Sequence, residues 1–300
     1  MATKFRASET FFIRKGWLSK GMRYISQKPD VFVDKKENPM DVLGIGANMV
    51  KSLRYWLQAV GLTSESSKGK RIQKLTDFGK LVHEHDPYTE ELGTLYLLQY
   101  KLVTDEDMAP AWYYFFNEFT LSEFNREDFL EQIQNYLKMK DTKVALRSLS
   151  DDFACIISTY IPKYKSNPTK DSPENNITCP LGELGLIDIL GKEGGNVLYR
   201  KSTPSVRSFN PWVILAVISD QANGKEEIGL NDLLNGKSNI GKVFNLDSIS
   251  MLEILHEVEK IGEIKIIRTA GLDVIRLTNA KRTFIECVEN YYADIERMDL

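Results

Sequence analysis

Apolar residues recur at intervals of three and four along most of the chain, a period that predicts a mainly helical protein. Phe12, Trp17, Leu18, Met22 and Ile25 place a first helix over residues 11–25, with Pro29 just beyond its end. Val31-Phe32-Val33 is a short β-prone run. Pro39 opens a short helix that continues through Val42. Gly44 and Gly46 then interrupt the chain before a longer helix over residues 46–60. Its apolar set is Met49, Val50, Leu53, Tyr55, Trp56, Leu57 and Val60, and Asn48, Lys51, Ser52 and Arg54 supply a polar face. A basic hairpin tip follows and leads into Leu75-Thr76-x-x-Gly79. There Thr76 is expected to cap the next helix, and Gly79 to lie within or near its end.

Residues 87–165 read as helical, acidic and rich in aromatic rings. The run 111–119 holds Trp112, Tyr113, Tyr114, Phe115, Phe116 and Phe119. Rings of this density suit either a buried helix or a base-stacking platform, and the acidic flanks favour burial. Amphipathic helices are expected over 122–138 and 150–160. Residues 166–178, with two prolines among polar residues, read as a linker or exposed loop. The remainder repeats the first pattern. A β-prone run at Val197-Leu198-Tyr199-Arg200 comes first. Helices are expected over 211–221, 230–234 and 248–261, and then a hairpin over 264–277 that turns at Ala270-Gly271. A last amphipathic helix covers 281–297.

Charge adds information the pattern lacks. The net charge is -3, but residues 1–82 carry 16 Lys and Arg against 7 Asp and Glu, leaving 23 against 35 for the rest. A basic N-terminal third on an acidic remainder is the footprint of a polyanion-binding module. The groove-facing candidates are Asn48, Lys51, Ser52 and Arg54. Lys68, Lys70, Arg71 and Lys74 form a basic wing, and Arg14 and Lys20 are further phosphate contacts. The presumed recognition helix of the second half is acidic, through Asp247, Glu253, Glu257 and Glu259, which suits a protein partner better than a phosphate backbone.

Cys155, Cys179 and Cys287 form no CxxC pair and offer no disulfide framework, as in a reducing cytoplasm. The N-terminal residues lack a signal-peptide core, and no apolar run approaches a membrane span, so a cytoplasmic protein without membrane contact is expected. Catalytic signals are sparse. The glycines at 44 and 46 lack the third glycine and the βαβ setting of a dinucleotide loop. His83-Glu84-His85-Asp86 is the one dense cluster of metal-ligand types, but Pro87 places it at a junction, and a polar boundary loop is the expectation. No metal site and no tightly bound cofactor are expected. The residues alone support binding and give no support for catalysis.

Several stretches together resemble a known bacterial family. They are Glu9-Thr10-Phe11, Arg14-x-x-Trp17-Leu18-x-Lys20-Gly21, Leu43-Gly44-x-Gly46-x-Asn48-Met49-Val50-Lys51-Ser52-x-Arg54-Tyr55-Trp56, Leu75-Thr76-x-x-Gly79 and Leu95-Tyr96-Leu97-Leu98. The chain resembles the domain of unknown function 4007 family over most of its length. The resemblance implies a component of bacterial DNA phosphorothioate modification and phage defence. One branch of the family, the SspB type, is a DNA nickase that would use Mg²⁺ or Mn²⁺. Family members commonly carry His before the Glu-Thr-Phe; this chain has Ser8, which leaves Glu9 as the catalytic candidate of the motif. A carboxylate at such a position also commonly caps a helix.

The expectation is therefore a mainly α protein in three parts. Residues 1–86 form an N-terminal winged helix-turn-helix, 87–165 a helical middle region, and 179–300 a second winged-helix-like domain. The expected partners are double-stranded DNA and sulfur-transfer or ATPase proteins of the same system. The alternative is a non-enzymatic scaffold that binds protein partners through tandem winged helices.

Overall fold

The computed structural model describes residues 4–66, 69, 71–162, 178–269 and 272–298. The chain is mainly α. Its first part comprises α1 (Trp17–Gln27), α2 (Pro39–Leu43), α3 (Ala47–Ala59), a hairpin of β1 (Thr63–Glu65) and β2 (Gln73–Leu75), and α4 (Asp77–His85). The middle part comprises α5 (Leu92–Thr104), α6 (Pro110–Asn117), the two-residue β3 (Glu123–Phe124), α7 (Arg126–Met139) and α8 (Leu146–Tyr160). The last part comprises β4 (Ile187–Glu193), β5 (Asn196–Lys201), α9 (Pro211–Ala222), β6 (Glu227–Gly229), α10 (Leu230–Asn235), α11 (Ile240–Val243), α12 (Ser248–Lys260), β7 (Ile264–Thr269), β8 (Leu272–Leu277) and α13 (Phe284–Met298).

Local chemistry sets these boundaries. The first helix starts at Trp17 and not at residue 11, because Gly16 at φ 80° turns the chain out of helical geometry first. Val31-Phe32-Val33 forms a turn and no strand; Val31 and Phe32 are buried as plugs of the core. Asn38 caps α2 by accepting from the Met40 N–H, and Pro39 takes the first helical position. The helix expected from residue 122 starts later, after β3, where Asn125 and Asp128 form a capping box. Strand β4, which the apolar pattern does not announce, pairs antiparallel with β5, and β3 pairs with the other edge of β5. The linker expected over 166–178 and the turn at Ala270-Gly271 lie almost wholly outside the described residues.

One continuous hydrophobic core runs from Ile13 to Tyr292. The aromatic run lies inside it. Trp112, Tyr114, Phe115, Phe116 and Phe119 are all buried, which removes the base-stacking reading. Trp112 meets Trp56 of α3 edge to face at 5.2 Å, while Phe115 and Phe119 pack on Phe124 and Phe129. Helix α5 is buried along nearly its whole length. Its Tyr96 stacks on Phe209 at 4.2 Å, and the Tyr100 hydroxyl donates to Asp220 of α9 at 2.6 Å. Helix α13 packs on α9 and α4, with Cys287, Val288, Tyr291 and Tyr292 buried. In the last part the sheet order is β6-β8-β7, all antiparallel. No described helix is long and apolar enough to cross a membrane.

Thr76 caps α4 as expected, accepting from the Gly79 N–H at 2.9 Å while its own hydroxyl donates to Gly61 O at 2.7 Å. Gly79 has a different role from the one its sequence position suggests. It stands in the first turn of α4, and a Cβ there would lie 1.9 Å from the Leu62 carbonyl oxygen, a backbone atom with little freedom to move. Gly79→Ala is expected to destabilise the protein by about 1–3 kcal/mol or more through overpacking. Chemical denaturation measures this, and an unchanged midpoint would contradict the close approach.

Candidate nucleic-acid interface

The segment preceding α1 folds back on the protein through a series of turns. Arg6, Glu9 and Thr10 adopt φ of 60°, 50° and 68°, the left-handed region that L side chains rarely occupy. Three such residues within five are held only where surrounding contacts over-determine them. Those contacts are specific. The Arg6 N–H donates to both carboxylate oxygens of the buried Asp152, at 2.9 and 3.0 Å, and the Arg6 guanidinium lies 2.9 Å from Asp151. Ser8 is buried, with its hydroxyl 3.5 Å from the Cys155 sulfur. At the end of the turn the Phe11 carbonyl accepts the Trp56 indole N–H at 2.8 Å and the Ser52 hydroxyl at 3.4 Å. Glu9 is half-exposed, with its carboxylate 3.9 Å from the Lys51 ammonium of α3, and Arg6 and Thr10 beside it are exposed.

The predicted contact residues therefore divide. Asn48 and Lys51, three apart on α3, are exposed on one face; the Lys51 side chain is 64% exposed. Lys74 is exposed and, among the described residues, has no ion-pair or hydrogen-bond partner. Ser52 does not face outward. It is fully buried because its hydroxyl is spent on the Phe11 carbonyl. Arg54 is mostly buried and engaged. Its Nε and Nη2 donate to Glu65 Oε2 at 2.9 and 2.7 Å, and Nη2 also donates to the Arg71 carbonyl, tying α3 to the hairpin. Arg71 is exposed but shares the same Glu65, at 3.1 Å. Lys20 donates to the Leu43 carbonyl at 2.9 Å, closing the end of α2. Arg14 lies over the Phe11 and Trp17 rings at 5.5 and 5.4 Å. Lys68 and Lys70 lie outside the described residues.

Glu9 caps no helix, since α1 begins eight residues later. The 83–86 cluster is not the boundary loop expected: His83, Glu84 and His85 form the last turn of α4, and Asp86 closes it. His85 Nδ1 lies 2.8 Å from Glu296 and its ring stacks on Tyr292, while Asp86 accepts from the Glu90 and Glu91 N–H groups. Among the described residues, no group of three or more His, Cys, Asp and Glu is arranged to hold a metal ion.

Comparison with known proteins identifies the family. A model of the family described as "Protein of unknown function (DUF4007)" matches residues 5–292. The chain belongs to this family. No curated protein matches it. Two solved structures share the fold. One, described as "Magnesium ion-bound SspB crystal structure", has a TM-score of 0.84 at 25% identity, over 99% of this chain and 89% of that one. The other, described as "SspB crystal structure", has a TM-score of 0.82 at the same identity and coverage. The DUF4007 stretches quoted above, Glu9-Thr10-Phe11 and Asn48 to Trp56, are some forty residues apart in sequence and meet in space through Phe11, Ser52, Trp56, Glu9 and Lys51. Glu9 is a single carboxylate with an ammonium beside it; Mg²⁺ is commonly held by one or two carboxylates together with water and substrate phosphate.

Residues of the Arg6 clasp were not singled out by the sequence. Its Asp152 sits in an ordinary amphipathic helix, α8. Burial pushes the Asp152 carboxyl up to about 7, against the lowering effect of the Arg6 N–H; neighbouring Asp151 raises it further. The unfolded chain releases this proton near pH 3.8, where the folded protein still holds it. The contribution of Asp152 to stability is therefore fullest below that pH and is lost as pH rises towards about 7. Asp152→Asn, which keeps an acceptor for Arg6, is expected to flatten the fall in thermal midpoint between pH 5 and pH 7.5. Parallel wild-type and variant profiles would contradict the assignment.

Proposed function

We propose that this protein is a cytoplasmic DNA-binding component of a phosphorothioate-modification and phage-defence system, and that it nicks the duplex it binds. The observation that carries the reading is the convergence of the Glu9 turn with the exposed Asn48–Lys51 face of α3. A helix face with an amide and an ammonium suits the major groove or its rim, where Asn contacts base edges and Lys neutralises phosphate. Lys74 and Arg71 extend the cationic surface along the hairpin. The order α1, α2, α3, β1–β2 is that of a winged helix, with α3 as the reading helix. The last part runs α9, β6, α10, α11, α12, β7, β8, with sheet order β6-β8-β7, and its helices followed by a hairpin support a winged-helix-like reading there too. We divide the chain accordingly into residues 1–86, 87–165 and 179–300.

Family resemblance supports the phosphorothioation setting, and the SspB-type branch supports nicking. Glu9 is the carboxylate placed beside the proposed DNA surface. Its role would be general-base or electrostatic, next to a phosphate brought in by Lys51. A second reading, a scaffold for a sulfur-transfer or ATPase partner, draws on two exposed features. Helix α12 presents Glu253, Glu257 and Ile249 to solvent, and Ile189 is 55% exposed on β4. The two readings are compatible, because these features lie on the last part of the chain and the cationic face on the first.

Duplex binding is expected to fall steeply with salt, with a log–log slope of about -0.9 per neutralised phosphate. Asn48→Asp combined with Lys51→Glu is expected to weaken it at least about tenfold, and to reduce that slope by about one contact. Equal affinity of wild type and double variant in a low-salt gel shift would remove α3 from the interface. Nicking is read separately, from supercoiled plasmid with added Mg²⁺ or Mn²⁺. Relaxed circles are expected with wild type and not with Glu9→Gln. Relaxation by both proteins would remove Glu9 from the mechanism, and relaxation by neither would leave the scaffold reading.

A further inference from the structure

A second cationic site lies far along the chain from α3, where the C-terminal end of α6 faces β5 and α11. The cleft there has a volume of about 360 Å³, within the range of small-molecule sites. Two lysines line it. Lys201, the last residue of β5, is half-buried, and its ammonium donates to the Phe115 and Phe119 carbonyls at 2.7 and 2.6 Å. It also lies over the Phe115 and Phe119 rings at 4.8 and 5.3 Å. Two of its three protons are thereby used, and one remains. Lys242 on α11 is half-buried and, among the described residues, has no hydrogen-bond or ion-pair partner.

Among the described residues, neither lysine has a carboxylate within ion-pair distance. The carboxylate lining the cleft belongs to Asp247, and its Oδ1 accepts the Ile249 and Ser250 N–H groups at the start of α12. Burial pushes the Lys201 ammonium down to about 7, and the Lys242 charge acts in the same direction. Lys201 is therefore only partly protonated near neutral pH beside the Lys242 charge, and an anion between the two favours both ammoniums. The hydroxyl-bearing Thr120 and Ser122 also line the cleft, and the half-buried Leu234 gives it an apolar side.

We propose that this cleft binds a phosphate monoester, with Lys242 and Lys201 on the phosphate and the apolar side against the organic group. Lysine pairs with hydroxyls suit a doubly charged tetrahedral oxyanion, where a planar carboxylate would call for the arginine fork. The site does not depend on DNA binding by α3, and Asn48 and Lys51 take no part in it.

Calorimetric titration of the full chain tests this, with AMP, with a 5′-phosphorylated thymidine dinucleotide and with the same dinucleotide carrying a 5′-hydroxyl. Saturable binding of a phosphorylated ligand is expected, tighter than about 1 mM. Lys242→Ala is expected to weaken it at least about tenfold with the thermal midpoint of the free protein unchanged, and Lys242→Arg to retain it. Binding of AMP places the ligand among free nucleotides; binding confined to the phosphorylated dinucleotide places it at a nucleic-acid end. Absence of saturable binding by wild type, equal affinity of Lys242→Ala, or equal binding of the 5′-hydroxyl dinucleotide would each overturn the proposal.

Discussion

One buried hydrogen bond organises the N-terminal surface: the Trp56 indole N–H donating to the Phe11 carbonyl. Trp56 is fully buried and wedged edge to face against Trp112, so its donor is fixed in space by the aromatic core. A buried indole N–H without an acceptor is costly, on the order of 1–3 kcal/mol. The Phe11 carbonyl meets that need only if the chain before α1 doubles back, and this return sets the left-handed turn at Glu9 and Thr10. Asp152 holds the other end of the turn through the Arg6 N–H. The position of Glu9 beside Lys51 is thus a consequence of core packing.

The same packing sorts the basic residues. Residues 1–82 carry a large cationic excess, yet much of it is internally engaged. Lys28 pairs with Asp34 and Glu37, Arg54 and Arg71 share Glu65, Lys80 pairs with Asp77, and Lys15 lies near Glu90. Exposed pairs of this kind add little stability, but they neutralise charge that would otherwise attract a polyanion. Among the described residues, Arg23, Lys35, Lys36 and Lys74 are exposed without a carboxylate partner, and Lys51 keeps only a long contact with Glu9. The proposed interface draws on Lys51 and Lys74 from this reduced set.

Much of the helical frame was legible because it rests on local rules. The apolar set of α3, the Asn38-Pro39 start of α2 and the Thr76 cap of α4 each follow from period or capping chemistry within a few residues. Misreadings arose where a partner lay far away. Ser52 looks like a polar surface residue until the Phe11 carbonyl arrives from forty-one positions upstream. Arg54 looks like a groove contact until the hairpin brings Glu65 to it. Strand β3 is two residues long and exists only because residues 199–200 pair with it. Asp152 and the Lys201–Lys242 cleft carried no signal, since each is an ordinary residue of its own element made unusual by tertiary surroundings.

The central claim is that Trp56 holds the Glu9 turn in place. Hydrogen exchange of residues 5–16 in Trp56→Phe, which keeps the ring packing and removes the donor, tests it most directly. The Glu9 and Phe11 amides, bonded to the Arg6 and Ser8 carbonyls, are expected to exchange markedly faster than in wild type. Helix α5 is expected to keep its protection. Unchanged protection of the turn in the variant would contradict the account.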